Sequence, residues 1–344
     1  MIHSVAAPPP AQAATDGAMG ARDGNGGCAM QKDSERRDAG LGSPPRSLLL
    51  ATDLSCRCDR ALDRAVMLAS AWGAKLHVLY VLEGNEPEQG PEPVPGGSVR
   101  ALAERHLRAA TRNHDVEAEI VIERGDPAEI ILRTANELDC ELIVTGIARS
   151  GNLARAVLGT TVERLVHRAP MPVLIVKMRP WRAYPTVVVA SDFSETSAHA
   201  LRQALSVFPD ARMILAHAYR VPFEGFISRA AHEAELLADA ERQRAAFLPS
   251  VGAPPDRLEQ MEYLIRYGTA ESVIGTHVWD NDIDLVVMGT HGRSGRFGIL
   301  MGSTAERLLI CLHCDVMIVR EPRALSATIG AGGASAGPRL SGNG

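Results

Sequence analysis

Residues Ser47–Ser55 read SLLLATDLS, and residues Thr186–Ser194 read TVVVASDFS. Each is an apolar run that ends on an aspartate and closes on a serine two residues later. Apolar runs without alternation suit strands buried on both faces, as in a parallel sheet covered by helices. Asp53 and Asp192 lie 139 residues apart, and further matched blocks appear on either side of them. KLHVLYV with His77 is set against ILAHAYRV with His217, a separation of 140. ELIVTGIA matches DLVVMGTH, LGTTVERL matches MGSTAERL, and PVLIV matches DVMIV, each at a separation of 143. Ordered blocks at a near-constant spacing mark an internal duplication.

The repeats span roughly 46–177 and 185–321, joined by a linker at 178–184. Residues 1–45 are rich in Ala, Gly, Pro, Asp and Arg without periodicity, residues 322–344 have the same low-complexity character, and both read as disordered tails. In repeat 1 strands are predicted at 48–51, 76–81, 117–122, 142–145 and 173–176, and helices at about 57–72, 98–113, 127–138 and 153–168. Repeat 2 follows the same order, with helices at about 195–208, 228–248, 270–280 and 303–313. Alternating strands and helices with right-handed crossovers give an α/β, doubly wound parallel sheet. Ligands of such sheets sit beyond the carboxyl ends of the strands, where the strand order reverses. The aspartate and glycine motifs fall there.

Composition narrows the function. Hydrophobic residues make up 46% of the 344 and aromatics 4%, so the core is aliphatic. A net charge of −5 argues against a general nucleic-acid or membrane-surface binder. Six cysteines form no disulfide scaffold and suit a reducing compartment. No apolar stretch reaches the ~18 residues of a membrane span, and Met1–Pro10 lacks the features of a secretion signal. The expected location is the cytoplasm.

The sharpest local signal closes repeat 2. Gly289, Thr290, His291, Gly292, Arg293, Ser294 and Gly295 follow its fourth strand, and Gly302–Ser303 comes nine residues after Gly292. Glycines let the backbone approach an oxyanion, and N–H groups at a turn and a helix N-terminus donate to phosphate oxygens. Ser303 is expected to cap the next helix and add a hydroxyl; Arg293 adds charge.

Gly, two residues, Gly, nine residues, Gly-Ser resembles the ATP-binding signature of nucleotide-binding universal stress proteins. The resemblance extends over both repeats. It implies two Rossmann-like, five-stranded domains of the adenine-nucleotide alpha-hydrolase-like fold, with strand order 3-2-1-4-5. It further implies that they pair along their fifth strands as an intramolecular pseudo-dimer. Ala190, Ser191, Asp192 and Ala218 would hold the adenosine end. Met288, Gly289, His291, Gly292, Arg293, Gly302, Ser303 and Thr304 would hold ribose and phosphates. The implied ligand is ATP, with AMP or ADP as alternatives and Mg as the ion accompanying the phosphates. An unidentified regulatory protein is the implied partner, and a homodimer of chains is left open.

Repeat 1 keeps Asp53, Gly146, Gly159 and Thr160, with Val78 following His77, but Arg149 stands where repeat 2 has Gly292. Gly151 is seven residues from Gly159 and cannot replace it. If the position needs a positive φ, a Cβ costs about 1–2 kcal/mol there. That reads as a silent first site; the opposite reading gives the Arg149 guanidinium a phosphate to bind. Asp53 and Asp192 have a plainer reading as caps of the following helices.

Other signals are weaker. Asp280, Asp282 and Asp284 have calcium-loop spacing, but Leu285 stands where such a loop needs Gly. Cys56/Cys58 and Cys311/His313/Cys314 lack the usual zinc spacing and sit in different repeats, and a redox role for Cys56 or Cys58 is a minor alternative. His77 and His217 read as buried, satisfied histidines. The loops after each second strand, 84–97 and 220–228, read as lids, partner surfaces or plain connections. No Walker A lysine, pyrophosphatase loop or carboxylate pair is present, and no catalytic or metal-binding residue is assigned. The favoured reading is a nucleotide-binding sensor or adaptor. The alternatives are a slow ATPase or phosphoryl- or nucleotidyl-transfer enzyme, and a stress scaffold that binds no nucleotide.

Overall fold

The computed structural model describes residues 42–55, 58–82, 101–112 in part, 116–147, 159–220, 229–290 and 301–321. Repeat 1 contributes β1 (Ser47–Thr52), α1 (Asp59–Trp72), β2 (Lys75–Leu82), β3 (Ala118–Arg124), α2 (Pro127–Glu137), β4 (Leu142–Gly146), α3 (Thr160–Arg168) and β5 (Val173–Val176). Repeat 2 contributes β6 (Thr186–Ala190), α4 (Glu195–Val207), β7 (Arg212–Tyr219), α5 (Arg229–Val251), α6 (Pro255–Glu259), β8 (Glu262–Tyr267), α7 (Ala270–Asp280), β9 (Leu285–Gly289), α8 (Ser303–Cys311) and β10 (Asp315–Val319).

All ten strands form one sheet in the order β3-β2-β1-β4-β5-β10-β9-β6-β7-β8. Each half therefore has the expected 3-2-1-4-5 order. Pairing is parallel within each half and antiparallel where β5 meets β10, with Leu174 opposite Met317. The apolar runs of β4, β5 and β10 are buried along their whole length, while β3 and β8 at the sheet edges are only partly buried and expose polar residues. Helices cover both faces. One core packs Leu48, Leu50, Leu174, Val187 and Met317; the other packs Leu49, Ile143, Ile175, Val188 and Val316. Each core runs through both repeats, so the pseudo-dimer shares its interior.

The duplication is also written in the backbone. Leu54 and Phe193 take φ of 58° and 60°, Gly125 and Gly268 take 150° and 144°, and Asp139 and Asp282 both take 48°. Left-handed non-glycine residues are uncommon, and finding them in matched pairs means the same turns were inherited twice.

The strand register corrects one matched block. β1 pairs Leu49 with His77, whereas β6 pairs Ala190 with Ala216, directly before His217. His217 therefore corresponds to Tyr80, and Ala218 to Val81. The similar letters around His77 had slipped the register by three residues. Val78, the expected counterpart of Ala218, is fully buried in the core against α1 and cannot line a site.

Helix boundaries shift at α3, at the end of α5 (Val251) and at the end of α8 (Cys311). α3 begins at Thr160 because Gly159 is extended, with φ −61° and ψ 145°. Of the earlier start expected near 153, residues 153–158 lie outside the described residues. The short α6 follows Pro254 and was not expected. Of the presumed N-terminal tail, residues 42–45 are described: Pro45 is buried, and the Ser43 carbonyl accepts from Ser206 Oγ of α4 at 3.4 Å. Residues 322–344, Cys56 and the loop 84–97 lie outside the described residues.

The linker between the repeats is pinned by a buried polar cluster. Asp315, the first residue of β10, is fully buried. Its Oδ1 accepts the N–H groups of Lys177 and Met178 at 2.8 and 2.9 Å; its Oδ2 accepts the Tyr184 hydroxyl at 2.7 Å and lies 3.3 Å from Arg64 Nε. The Arg64 guanidinium lies over the Tyr184 ring at 4.0 Å and donates to the Arg182 carbonyl at 2.7 Å. Lys177 Nζ reaches the carbonyls of Leu309 and Leu312 at the C-terminus of α8. A cation at that end also meets the negative pole of the helix.

Candidate functional site

The carboxyl ends of β6, β7 and β9 converge with the N-termini of α7 and α8 around a cleft of about 710 Å³. This is where the strand order reverses in repeat 2, between β6 and β9. Ala190, Ser191 and Asp192 line it from the turn after β6, and Ala218 from β7. Met288 and Gly289 line it from β9, and Gly302, Ser303 and Thr304 from the start of α8. His291, Gly292 and Arg293, with Arg149, lie outside the described residues.

The turn after β6 is built by short side chains that satisfy its own backbone. Ser191 Oγ accepts from Phe193 N at 3.0 Å, and Asp192 Oδ1 accepts from Ser194 N at 3.2 Å. α4 is then capped by Ser194, whose hydroxyl accepts from Ser197 N at 3.3 Å. Asp192 thus shapes the turn and does not cap the helix. Asp53 does the same in repeat 1, accepting from Ser55 N at 2.9 Å, with Leu54 N on Thr52 Oγ1. Burial raises the Asp53 carboxyl, but bonds from Ser55 and Cys58 outweigh it and hold the group below the usual carboxylate range.

His217 was expected to be a satisfied core histidine; it is half-buried and faces the cleft. Its Nδ1–H donates to the Ser191 carbonyl at 2.9 Å, and its ring stacks on Phe193 at 4.3 Å. His77 is the buried one, with Nδ1 3.4 Å from Glu119 Oε2. Burial depresses its basicity, with Lys75 adding to the effect. A smaller recess of about 380 Å³ shares Asp192, His217 and Arg220 with the cleft and is closed by Asp239 and Gln243 of α5.

Ser303 does not cap α8. Gly302 is the N-cap, with φ −63° and ψ 140°, and no side chain among the described residues accepts from the first turn. Ser303 is one residue too late to fold its hydroxyl back on the first N–H groups. Gly302 N–H instead donates to the Thr290 carbonyl at 2.8 Å, so the chain returns to the helix beside the end of β9. Among the described residues no side chain takes the N–H groups of Ser303 and its neighbours, the kind of helix start that suits an anion. Gly289 is needed for packing: a Cβ there would lie 2.6 Å from Thr196 Cγ2 of α4.

Several lining residues carried no sequence signal in isolation. Thr269 caps α7 by accepting from Ser272 N at 3.1 Å, Glu271 and Arg307 form an ion pair across the mouth, and Arg220 adds a second cation. The Arg307 bond, working against burial, holds the Glu271 carboxyl below its usual range. Comparison with repeat 1 could have exposed this wall. There the cap is Asp126, bound by both oxygens to Arg164 Nη1 at 2.8 and 2.7 Å, while Glu129 binds Arg164 and Arg168. Arg164 first, then the Glu129 N–H, hold Asp126 below the usual carboxylate range. Gly146 ends β4, and Gly159 and Thr160 open α3 in the same uncapped geometry as α8.

Among the described residues no group of three or more His, Cys, Asp or Glu side chains could hold a metal ion. Asp284 instead binds Arg182 of the linker at 2.9 Å. Burial pushes the Cys58 thiol up to about 11 and Cys314 to about 12, which leaves neither as a reactive thiolate near neutrality. No helix among the described residues is long and apolar enough to cross a membrane.

The model of the universal stress protein family matches residues 45–177 and again 183–320. A universal stress protein of Mycobacterium tuberculosis is 26% identical over 287 residues, covering 74% of this chain and 92% of the relative. Universal stress protein E of Salmonella typhi is 24% identical over 301 residues, covering 80% and 94%. The crystal structure of a universal stress protein from Archaeoglobus fulgidus shares the fold at a TM-score of 0.56 and 18% identity, covering 80% of this chain and 98% of that one. With the family pattern matched in each half and both halves built into one sheet, this chain belongs to the universal stress protein family as a tandem two-domain member.

Proposed function

We propose that repeat 2 binds an adenine nucleotide and that the chain acts in the cytoplasm as a nucleotide-dependent stress sensor or adaptor for a regulatory protein. ATP is the expected ligand, with AMP and ADP as alternatives. One observation carries the reading: a cleft of nucleotide size into which α8 opens with no capping side chain among the described residues. Its volume is typical of small-molecule sites. On the resemblance to the family, Asp192 and Ala218 would hold the adenosine end, and Gly289, His291, Gly292, Arg293, Gly302, Ser303 and Thr304 the ribose and phosphates. Phosphate oxygens would accept the N–H groups that a Ser or Asp cap otherwise takes. Mg would arrive with the phosphates.

Binding without fast chemistry fits the groups present. A general base works best with a pKa near the working pH. Of the carboxylates lining the cleft, Glu271 is ion-paired and held low, and Asp192 accepts the Ser194 N–H in the turn after β6.

Matched substitutions test the reading, because Asp53 and Asp192 shape equivalent turns. MgATP binding to the full chain should weaken at least about tenfold in Asp192→Ala, the range for a lost bond to a charged group. Asp53→Ala should leave it unchanged, and turnover should stay at background. Equal losses from both variants, or no ATP binding by the parent chain, would sink the proposal. Rapid turnover would move it to the enzyme reading.

A further inference from the structure

The peptide that leads into α8 is held from the other repeat. Met301 N–H donates to Nδ1 of His167, in the last turn of α3, at 3.1 Å. Met301 itself is 9% exposed and packs in the core that both repeats share. Gly302 N–H, one residue on, is taken by the Thr290 carbonyl. Two successive peptides are thereby fixed directly before Ser303 and Thr304, which line the cleft. An Nδ1 that accepts a bond carries no proton, so His167 holds the peptide as the neutral ring protonated on Nε2. The turn that carries His167 is fixed in its own right, since the Arg320 guanidinium, just after β10, donates to the His167 carbonyl.

At the matching position repeat 2 has no imidazole with which to return the contact. Lys177 mirrors Arg320 by capping the C-terminus of α8. Ile310 stands in repeat 2 where His167 stands in repeat 1, and it is 38% exposed with no hydrogen-bonding side-chain atom. The duplication kept the basic cap in both directions and the imidazole in one.

We infer that His167 is a positioning residue for the ligand-binding turn of repeat 2, supplied across the pseudo-dimer by repeat 1. It fixes the Met301 peptide and hence the extended Gly302 conformation that aims the first N–H groups of α8 into the cleft. Repeat 1 thus contributes to the site of repeat 2 whether or not it binds a ligand itself. The inference rests on the nucleotide reading of that cleft.

Three variants of the full chain separate positioning from mere packing. His167→Phe removes the acceptor. His167→Asn returns an oxygen near the Nδ1 position, and His167→Gln carries its amide too far out. MgATP affinity, measured by calorimetry, should fall roughly threefold to tenfold in the Phe and Gln variants, as expected for one net hydrogen bond, and recover in Asn. Exchange of the Met301 amide without ligand should speed up and recover in the same pattern. Parent-like ATP affinity in Phe and Gln, or Asn as weak as Phe, would overturn the inference. If Met301 exchange ignores all three, the contact itself is refuted. If exchange responds but the parent chain binds no ATP, the nucleotide reading has failed and the positioning role falls with it.

Discussion

The mouths of the two repeats differ more than their folds do. In repeat 1 the first turn of α2 is tied to α3 through Asp126, Glu129, Arg164 and Arg168. In repeat 2 the same turn offers Thr269 and Glu271 to a cleft, and Arg307–Glu271 is the ion pair that spans the two helices among the described residues. Both repeats keep a helix that starts on an extended glycine without a capping side chain. A duplicated helix start can therefore keep its backbone while the side chains around it diverge. The halves differ at these rims by a few polar residues on a common frame.

The largest expected effect lies where the halves join. Asp315 occupies the position that Pro172 holds in repeat 1, so its buried network has no counterpart. Asp315→Ala leaves Arg64 buried and removes the acceptor of Tyr184 and of two linker N–H groups. Breaking a buried pair from one side costs about 3–5 kcal/mol. Urea unfolding should show a loss of that size; a loss below about 1 kcal/mol would mean that the junction is not held this way.

A middle-sized effect separates the two caps. Asp126→Ala and Thr269→Ala each remove an N-cap and should each lower stability by about 1 kcal/mol. Only Thr269→Ala should also change nucleotide affinity, because Thr269 lines the cleft. Equal effects on binding would erase the distinction between the rims.

The smallest effect is a pH dependence. Asp126 is held below its unfolded value by Arg164, so the stabilisation is present above about pH 4 and is lost as the pH falls through the lower folded value. The pair is largely exposed and screened by solvent, so its whole worth is small. The stability gap between the parent and Arg164→Ala should shrink from pH 5 toward pH 3. A gap that grows on acidification would contradict the assigned sign.

Much of this was legible in sequence because burial on both faces writes itself as apolar runs. SLLLA, TVVVA and DLVVMG could only be central parallel strands, and the matched order around them gave the duplication. What slipped was whatever short apolar strings leave underdetermined. KLHVLYV and ILAHAYRV align equally well in more than one register, and the backbone pairing of β1 with β2 and β6 with β7 decides it. The cap of α8 was misread because Ser303 is the residue type that caps, while Gly302 is the one with the extended conformation. Thr269, Glu271 and Arg307 were missed because their roles depend on two helices meeting at the sheet edge. The Asp315 cluster and the His167–Met301 bond join residues more than a hundred positions apart and left no local pattern.

The most direct test counts nucleotides. MgATP titrated into the full chain should saturate one site, Gly292→Arg should abolish it by copying Arg149 into repeat 2, and Arg149→Gly should leave the count at one because the Asp126–Arg164 rim remains. Two equivalent sites in the parent chain, or undiminished binding in Gly292→Arg, would contradict the division of the repeats into a binding half and a supporting half.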